Sequence, residues 1–279
     1  PWKNCKPSWR HCPLGSGYDR PFMERHDRVI QYEYPFNERI RTYLRLENLF
    51  RRLGLLVARE DALDHHFALM TMFEIMEVAG RADLKSEVLK DLERQKQALN
   101  GYRGNPAISE EALNHAIGRL DGCFSALNQQ TGKAGQCLTE NEWLMTIRAR
   151  ASIPGGTCEF DLPGYFAWQH EPPDRRRNDL LRWVGTLDPL AEALEVCLAL
   201  LRETGVGQAV RVRGGLFQQS LGSGRSFQLL RLRIDPTLGV VPEISGNRLL
   251  VAIRLMRSDG EGRLKATTDD VPVELTLCS

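Results

Sequence analysis

The fold class is decided by residues 203–215, whose sequence is ETGVGQAVRVRGG. Before Gly205 the apolar residues recur with the 3.6-residue period of amphipathic helices, and after it they alternate with polar residues as in β-strands. In Val210–Arg213 the two valines share one face of a strand and the two arginines share the other. The sequence therefore predicts an α+β protein, with an all-helical N-terminal domain at residues 29–204 and a small antiparallel β domain at residues 205–279.

Three further segments of the C-terminal region alternate in the same way and are separated by glycine-containing turns. They are residues 226–234, 248–256 and 271–277. The first two carry arginines out of phase with their apolar positions, namely Arg231, Arg233, Arg248 and Arg254. If these strands pair in one sheet, the inner face of that sheet is apolar and its outer face is rich in arginine.

The net charge of the chain is only +1, but this charge is unevenly distributed. Residues 205–257 contain eight arginines, no lysine and two acidic residues, which gives +6, whereas residues 31–204 sum to −5. Strand periodicity alone is equally consistent with an ordinary solvated sheet face. Because a planar guanidinium can bind a carboxylate in bidentate fashion, the bias towards arginine favours a binding surface for an anion.

The N-terminal domain is predicted to contain six to seven helices after a short strand at residues 29–34. Apolar stripes and capping residues define the clearest helices, at about residues 38–53, 61–79, 84–99, 109–130, 174–185 and 189–203. Shorter helical segments are expected after a capping box at Thr139–Glu142 and from Asp161 onward. Apolar residues cover most of the circumference of the second helix, which predicts that this helix is central.

The remaining features indicate the cellular compartment. Residues 1–22 show neither helical nor strand periodicity, and we predict a disordered or spurious N-terminal extension at residues 1–28. No run approaches the ~20 apolar residues of a membrane span and no signal peptide is recognisable, so we expect a cytoplasmic protein that does not contact a membrane. The seven cysteines include no CxxC pair, which is typical of free thiols in a reducing compartment.

Catalytic motifs are missing from the sequence, which has no GxSxG, P-loop, HExxH or strand-to-helix GxGxxG. We therefore predict no enzymatic activity, no catalytic residue and no cofactor, and an enzyme with an unfamiliar site is the alternative. Cys5, His11 and Cys12 lack a second ligand pair at zinc-finger spacing, so no metal site is predicted. His65 and His66 point about 100° apart on their helix and are expected to have structural roles.

Three segments closely resemble parts of the ZapD family of bacterial cell-division proteins, namely YEYPFNERIRTYLRLE (residues 32–47), SIPGGTCEFDLP (residues 152–163) and ISG (residues 244–246). Their order and spacing agree with that family from about Val29 to the C-terminus. The resemblance implies a non-enzymatic cytoplasmic homodimer with a helical domain and a β domain. It also implies recruitment to the division site at midcell, where the protein binds the acidic C-terminal tail of the tubulin-like protein FtsZ and bundles FtsZ protofilaments.

The resemblance further implies which residues bind the FtsZ tail. The residues that match basic positions of the family are Arg45, Arg81 and Arg254, with Arg41 and Arg248 as neighbours. The strand pattern adds two more candidates, Arg231 and Arg233. A basic position and a histidine position of the family fall on Glu142 and Phe166 in this chain, and these two residues are therefore not included.

Nucleic-acid binding through the same arginine-rich sheet face is the alternative function. Stacking of bases usually requires aromatic residues among the basic ones, but Phe217 and Phe227 are the only aromatic residues in residues 205–257. The helical domain is net acidic and repels phosphate groups. Both observations favour an acidic peptide over a nucleic acid as the partner.

Overall fold

The computed structural model describes residues 29–81, 83–222, 224 and 226–279. The extension predicted at residues 1–28 lies outside these residues. The described chain divides into two compact units. The helical unit holds Tyr43–Cys197, and the β unit holds the residues before it, up to Thr42, together with Leu198–Ser279.

Nine α-helices and eight β-strands form within the described residues. The helices are α1 (Glu38–Val57), α2 (Ala62–Ala79), α3 (Leu84–Asn100), α4 (Glu110–Gln129), α5 (Gln136–Thr139), α6 (Glu142–Ala151), α7 (Pro163–Gln169), α8 (Pro173–Val184) and α9 (Asp188–Glu203). The strands are β1 (Ile30–Pro35), β2 (Gln208–Val212), β3 (Leu216–Ser220), β4 (Leu229–Ile234), β5 (Val241–Gly246), β6 (Leu250–Ser258), β7 (Leu264–Ala266) and β8 (Val271–Cys278). The predicted α+β class is confirmed.

Side-chain caps fix the starts of several helices. Asp61 accepts a hydrogen bond from the main-chain N–H of Leu63 at the start of α2, and Ser109 caps α4 in the same manner. The capping box predicted at Thr139–Glu142 is wrong, because Asn141 is the residue whose side chain caps α6. Residues 136–139 form the separate single turn α5, and the described residues contain nine α-helices in place of the predicted six to seven.

Helix α2 is central to the helical unit, as predicted. It packs against α6, α7 and α8. Leu69, Met72 and Ile75 are completely buried, since the apolar residues of α2 extend around most of its circumference. The buried face also contains a histidine, His65, which requires hydrogen-bonding partners inside the unit.

Two antiparallel sheets form the β unit. The first sheet has the strand order β1-β4-β8-β2 and the second has the order β3-β6-β5, with β7 also paired to β6. The sequence predicts strand β1 as part of the helical domain, but β1 pairs with β4, from Ile30 opposite Ile234 to Pro35 opposite Leu229. The domain boundary predicted at residue 205 is also displaced, because the division of the chain falls within α9. Strands β3, β5 and β7 were not predicted.

The prediction of a single arginine-faced sheet is wrong. Strands β2 and β4 lie in the first sheet, whereas β6 lies in the second. The apolar sides of both sheets pack into one core that includes Leu232 of β4, Ile253 of β6 and Val273 of β8. Because their inner faces share this core, the two sheets direct their arginines to opposite outer sides of the β unit.

A glycine pair carries the chain from the first sheet to the second. Gly214 and Gly215 join β2 to β3, and both have positive φ angles, 54° and 72°. A Cβ atom on Gly215 would lie 1.7 Å from the carbonyl oxygen of Thr267, so only glycine fits at this position. The turn that the sequence predicts here is therefore also the point at which the chain changes sheets.

Candidate partner-binding surfaces

The seven arginines predicted from the sequence are divided between the two units. The helical unit contains Arg45 and Arg81, and the β unit contains Arg41, Arg231, Arg233, Arg248 and Arg254. Within the β unit, Arg231 and Arg233 lie on β4 of the first sheet, Arg254 lies on β6 of the second sheet, and Arg248 lies in the turn before β6. The sequence-predicted set is thus not one continuous sheet face.

Arg231 is engaged inside the β unit. Its Nη2 atom donates to Gln31 Oε1 at 3.0 Å, and its Nε atom lies 3.3 Å from Glu33 Oε1. Arg202, near the end of α9, binds the same Glu33 carboxylate through two hydrogen bonds of 2.8 and 2.7 Å. The Glu33 side chain is only 16% exposed, so two guanidinium groups share one carboxylate in a partly buried site. The Arg231 guanidinium is therefore engaged within the unit, although a single carboxylate cannot balance the charges of both arginines.

Arg233 lies two residues further along β4, on the same outer face. Its Nη1 atom is 3.2 Å from both carboxylate oxygens of Glu274 on β8. Together with Arg231, Thr276 and Gln31, these two residues line a shallow depression of about 350 Å³. An anion that binds Arg233 here must compete with Glu274.

Arg254 on β6 and Arg248 in the turn before this strand are more available to a partner. The Nη1 atom of Arg254 is 3.9 Å from the nearest oxygen of Glu243 on β5, and the Arg254 side chain is 60% exposed. Arg248 is exposed in the turn before β6, and no ion pair or hydrogen bond of its side chain occurs within the described part of the chain. Both can contact a partner without breaking a close internal ion pair.

The remaining candidates lie on α1 and just after α2. Arg45 is exposed, and no ion pair joins it to any of the residues that the structure describes. Arg41 is half-buried and its Nε atom forms an ion pair with Glu38 at 3.0 Å, three residues earlier on the same helix. Arg81 is exposed immediately after Gly80, the C-cap of α2.

Arg211 and Arg213 were recognised in the strand pattern but were not included in the predicted site. Both are exposed on β2 or at its end, on the outer side of the first sheet. Neither side chain has an ion pair or hydrogen bond within the described residues. The alternation of valine and arginine in the sequence is a sufficient signal for this pair.

A groove of about 680 Å³ in the helical unit was not predicted. Its walls include Trp143, Trp168 and Trp183, whose ring centroids are 5.2 to 6.2 Å apart. The charged groups at this groove are already paired, because Asp179 accepts from Trp168 Nε1 at 3.1 Å and lies 2.7 Å from Arg182. The sequence gives no signal for this groove, since its tryptophans come from three separate helices.

His65 and His66 have the structural roles that the sequence predicts. Arg176 of α8 donates from Nε to His65 Nδ1 at 3.0 Å, and His65 Nε2 donates to the Arg59 carbonyl at 2.8 Å. His65 is therefore neutral, with its proton on Nε2. Burial lowers the pKa of His65, and the nearby charge of Arg176 lowers this pKa further.

The neighbouring His66 contacts a different partner. Its Nδ1 atom is 2.6 Å from the hydroxyl of Tyr165 on α7. Burial lowers the pKa of His66 and raises the pKa of Tyr165, because both environments disfavour the charged form. Two neutral groups thus connect α2 to α7 at this point.

Among the described residues, no group of three or more histidine, cysteine, aspartate or glutamate side chains could hold a metal ion. The cysteine and histidine residues weighed as ligands in the sequence, Cys5, His11 and Cys12, lie outside the described residues. None of the described helices is both long enough and apolar enough to cross a membrane.

A family model matches most of the chain. The family model named ZapD, described as a cell division protein, matches residues 44–254. The match covers more than half of the chain and includes Arg45, Arg81 and Arg254. It agrees with the family that the sequence segments indicate.

Proposed function

The chain belongs to the ZapD family of cell division proteins, and we propose that it binds the acidic C-terminal tail of FtsZ and cross-links FtsZ protofilaments at midcell. The family match over residues 44–254 is the observation that carries this proposal. We propose that the protein acts in the cytoplasm as a homodimer, without enzymatic activity.

Exposed arginines in both units support a contact based on charge. Arg45, Arg248 and Arg254 are exposed, and none has a close ion pair within the described residues. One exposed arginine–carboxylate pair contributes only about 0–1 kcal/mol, so several such pairs must act together to hold a peptide. Binding that depends on exposed charges weakens as salt is added.

Cross-linking follows from the symmetry of a dimer. A two-fold dimer carries two copies of the same binding site, so each copy can hold the tail of a different filament. Once one link has formed between two filaments, the effective concentration for the next link rises. Individually weak contacts can therefore bundle filaments.

The direct test combines the purified protein with FtsZ and GTP. We expect light scattering to rise above that of FtsZ alone and electron microscopy to show bundles, both reduced by raised salt. Single filaments with unchanged scattering would contradict the proposal, and bundling that is insensitive to salt would contradict a charge-based contact. A gel-shift assay with generic DNA and RNA checks the nucleic-acid alternative, for which the divided arginine faces provide no continuous basic sheet.

A further inference from the structure

Strand β2 forms a free edge of the first sheet. It pairs with β8 on one side and, within the described residues, with no strand on the other. Arg211 lies opposite Pro272, which has no N–H, so this pair cannot exchange two main-chain hydrogen bonds. The bonded pairs are therefore those on either side of it, Val210 with Val273 and Val212 with Val271.

This register determines which main-chain groups face outward. In an antiparallel ladder the bonded and non-bonded positions alternate, so the N–H and C=O groups of Ala209 and Arg211 point away from β8. No hydrogen bond from another described residue reaches these groups. Ala209 and Arg211 are also exposed, which leaves their outward N–H and C=O groups accessible. An unpaired edge of this kind can accept an additional strand.

The side chains beside this edge are basic. Val212 points into the core, whereas Arg211 and Arg213 are on the outer face, exposed and without an ion pair in the described part of the chain. Two acids lie near this edge. Glu274 lies opposite Ala209 and is bound by Arg233 at 3.2 Å, and Asp270 accepts from the main-chain N–H of Gly214 at 2.8 Å. A strand added beside β2 would place alternate side chains next to these arginines.

Charge also distinguishes β2 from other sheet edges and from a contact between two copies. Strand β5, one edge of the second sheet, carries Pro242 and Glu243, which oppose strand addition and repel acidic partners, and β3, at the other edge, carries no charged residue. If the β2 edges of two copies paired, their arginines would lie on the same face of the joined sheet, where like charges are destabilising. The charge therefore selects an acidic partner and not a second copy.

We propose that the free edge of β2 binds an extended acidic segment of a partner protein by strand addition. The main-chain groups of Ala209 and Arg211 supply hydrogen bonds, and the side chains of Arg211 and Arg213 pair with carboxylates on alternate residues of the added strand. This inference is independent of FtsZ, because it rests on the register and charge of β2.

The test uses the full-length protein and a fluorescein-labelled decapeptide of alternating glutamate and threonine, with binding followed by fluorescence anisotropy. Ala209→Pro removes an outward N–H and keeps the charge. The double variant Arg211→Gln, Arg213→Gln removes the charge and keeps the edge. Each is expected to weaken binding about ten-fold or more, and Arg263→Gln, an exposed arginine elsewhere in the β unit, is expected to leave it unchanged.

Hydrogen exchange on the wild-type protein provides a second measurement that requires no variant. Peptide binding is expected to slow exchange of the outward amides of Ala209 and Arg211. An absence of peptide binding, binding that Ala209→Pro leaves unchanged, or binding without this protection would each overturn the proposal. The probe contains no FtsZ sequence, so these results are separate from the outcome of the bundling experiment.

Discussion

Arg176 of the helical unit and Arg254 of the β unit carry the same side chain into opposite environments. Arg176 is only 5% exposed, and its guanidinium donates to the carbonyls of Glu60, Gln169 and Glu171 as well as to His65. Arg254 is 60% exposed on the outer face of a sheet, with its nearest carboxylate 3.9 Å away. Arg176 connects main-chain segments through hydrogen bonds, whereas Arg254 is available to a partner.

Arg231 lies between these two extremes. It is 27% exposed and shares the carboxylate of Glu33 with Arg202. An arginine on a strand face is therefore not available merely because it is out of phase with the core. The comparison shows that the number of internal acceptors separates a structural arginine from a binding arginine.

The largest effect is expected for Arg176→Met. The substitution leaves several buried carbonyls and His65 without a donor, which should lower the free energy of unfolding of the helical unit by about 3–5 kcal/mol. Urea unfolding followed by tryptophan fluorescence measures this change, because Trp143, Trp168 and Trp183 lie in the same unit. The adjacent Arg175 has a 75% exposed side chain, so Arg175→Met should change stability by less than about 0.5 kcal/mol. Equal losses of stability in Arg176→Met and Arg175→Met would contradict the structural role of Arg176.

A smaller loss of stability is expected when Glu33 is changed to Gln. Both Arg202 and Arg231 then lose their carboxylate in a partly buried site, at a cost of about 1–3 kcal/mol to the β unit. Hydrogen exchange of the amides in β1 and β4 provides the readout. The control is Glu243→Gln, which affects only the exposed and distant contact with Arg254 and should cost less than about 0.5 kcal/mol. Stability unaffected by Glu33→Gln would place Arg231 among the available arginines.

The helical unit should also lose stability in mild acid. His65 and His66 have pKa values below the ordinary 6.5 in the folded protein, so the unfolded chain takes up their protons first. Stability is expected to be complete above about pH 6.5 and to fall below it, by up to about 1.4 kcal/mol per pH unit for each histidine. Denaturant midpoints between pH 7.5 and 5 measure this slope. His65→Gln should make this slope shallower, and a slope that His65→Gln leaves unchanged would contradict the prediction.

The smallest change in stability and the largest change in binding are expected at the exposed arginines. Arg45→Glu and Arg254→Glu should each lower co-sedimentation with FtsZ polymers and leave the melting temperature nearly unchanged. Matched controls are Arg51→Glu, exposed on the same helix as Arg45, and Arg263→Glu, exposed in the same unit as Arg254. Wild-type co-sedimentation in both test variants would refute the assignment of these residues to the binding site.

Local periodicity predicted the helices well but could not predict which strands share a sheet. The bounds of α3 and α9 agree with the sequence to within about one residue, because caps and apolar stripes are local signals. Alternation shows which side chains share a face of one strand, but the pairing of β1 with β4 and the placement of β6 in a second sheet depend on distant residues. Strand β5 contains Pro242, and because proline is uncommon within strands, its sequence does not predict a strand.

The candidate site was predictable to a similar extent. Charge counting and alternation located the basic β unit and the exposed arginines of β2 and β6. These signals could not show that Arg231 is more buried than Arg233, because the acids that pair with the two arginines, Glu33 and Glu274, come from β1 and β8. In the run Arg175–Arg177, only the packing of α8 determines which guanidinium is buried, and helical periodicity alone does not specify it.

Strand β1 imposes an order of events on protein synthesis. Gln31 and its partner Arg231 are 200 positions apart, so at roughly 5–20 residues per second the ribosome makes β1 roughly 10–40 s before β4. Throughout that interval the whole helical unit emerges, while the first strand of the β unit has nothing to pair with. The segment translated earliest among the described elements is therefore incorporated late, and a nascent chain arrested before β4 would carry folded helices beside an unpaired strand.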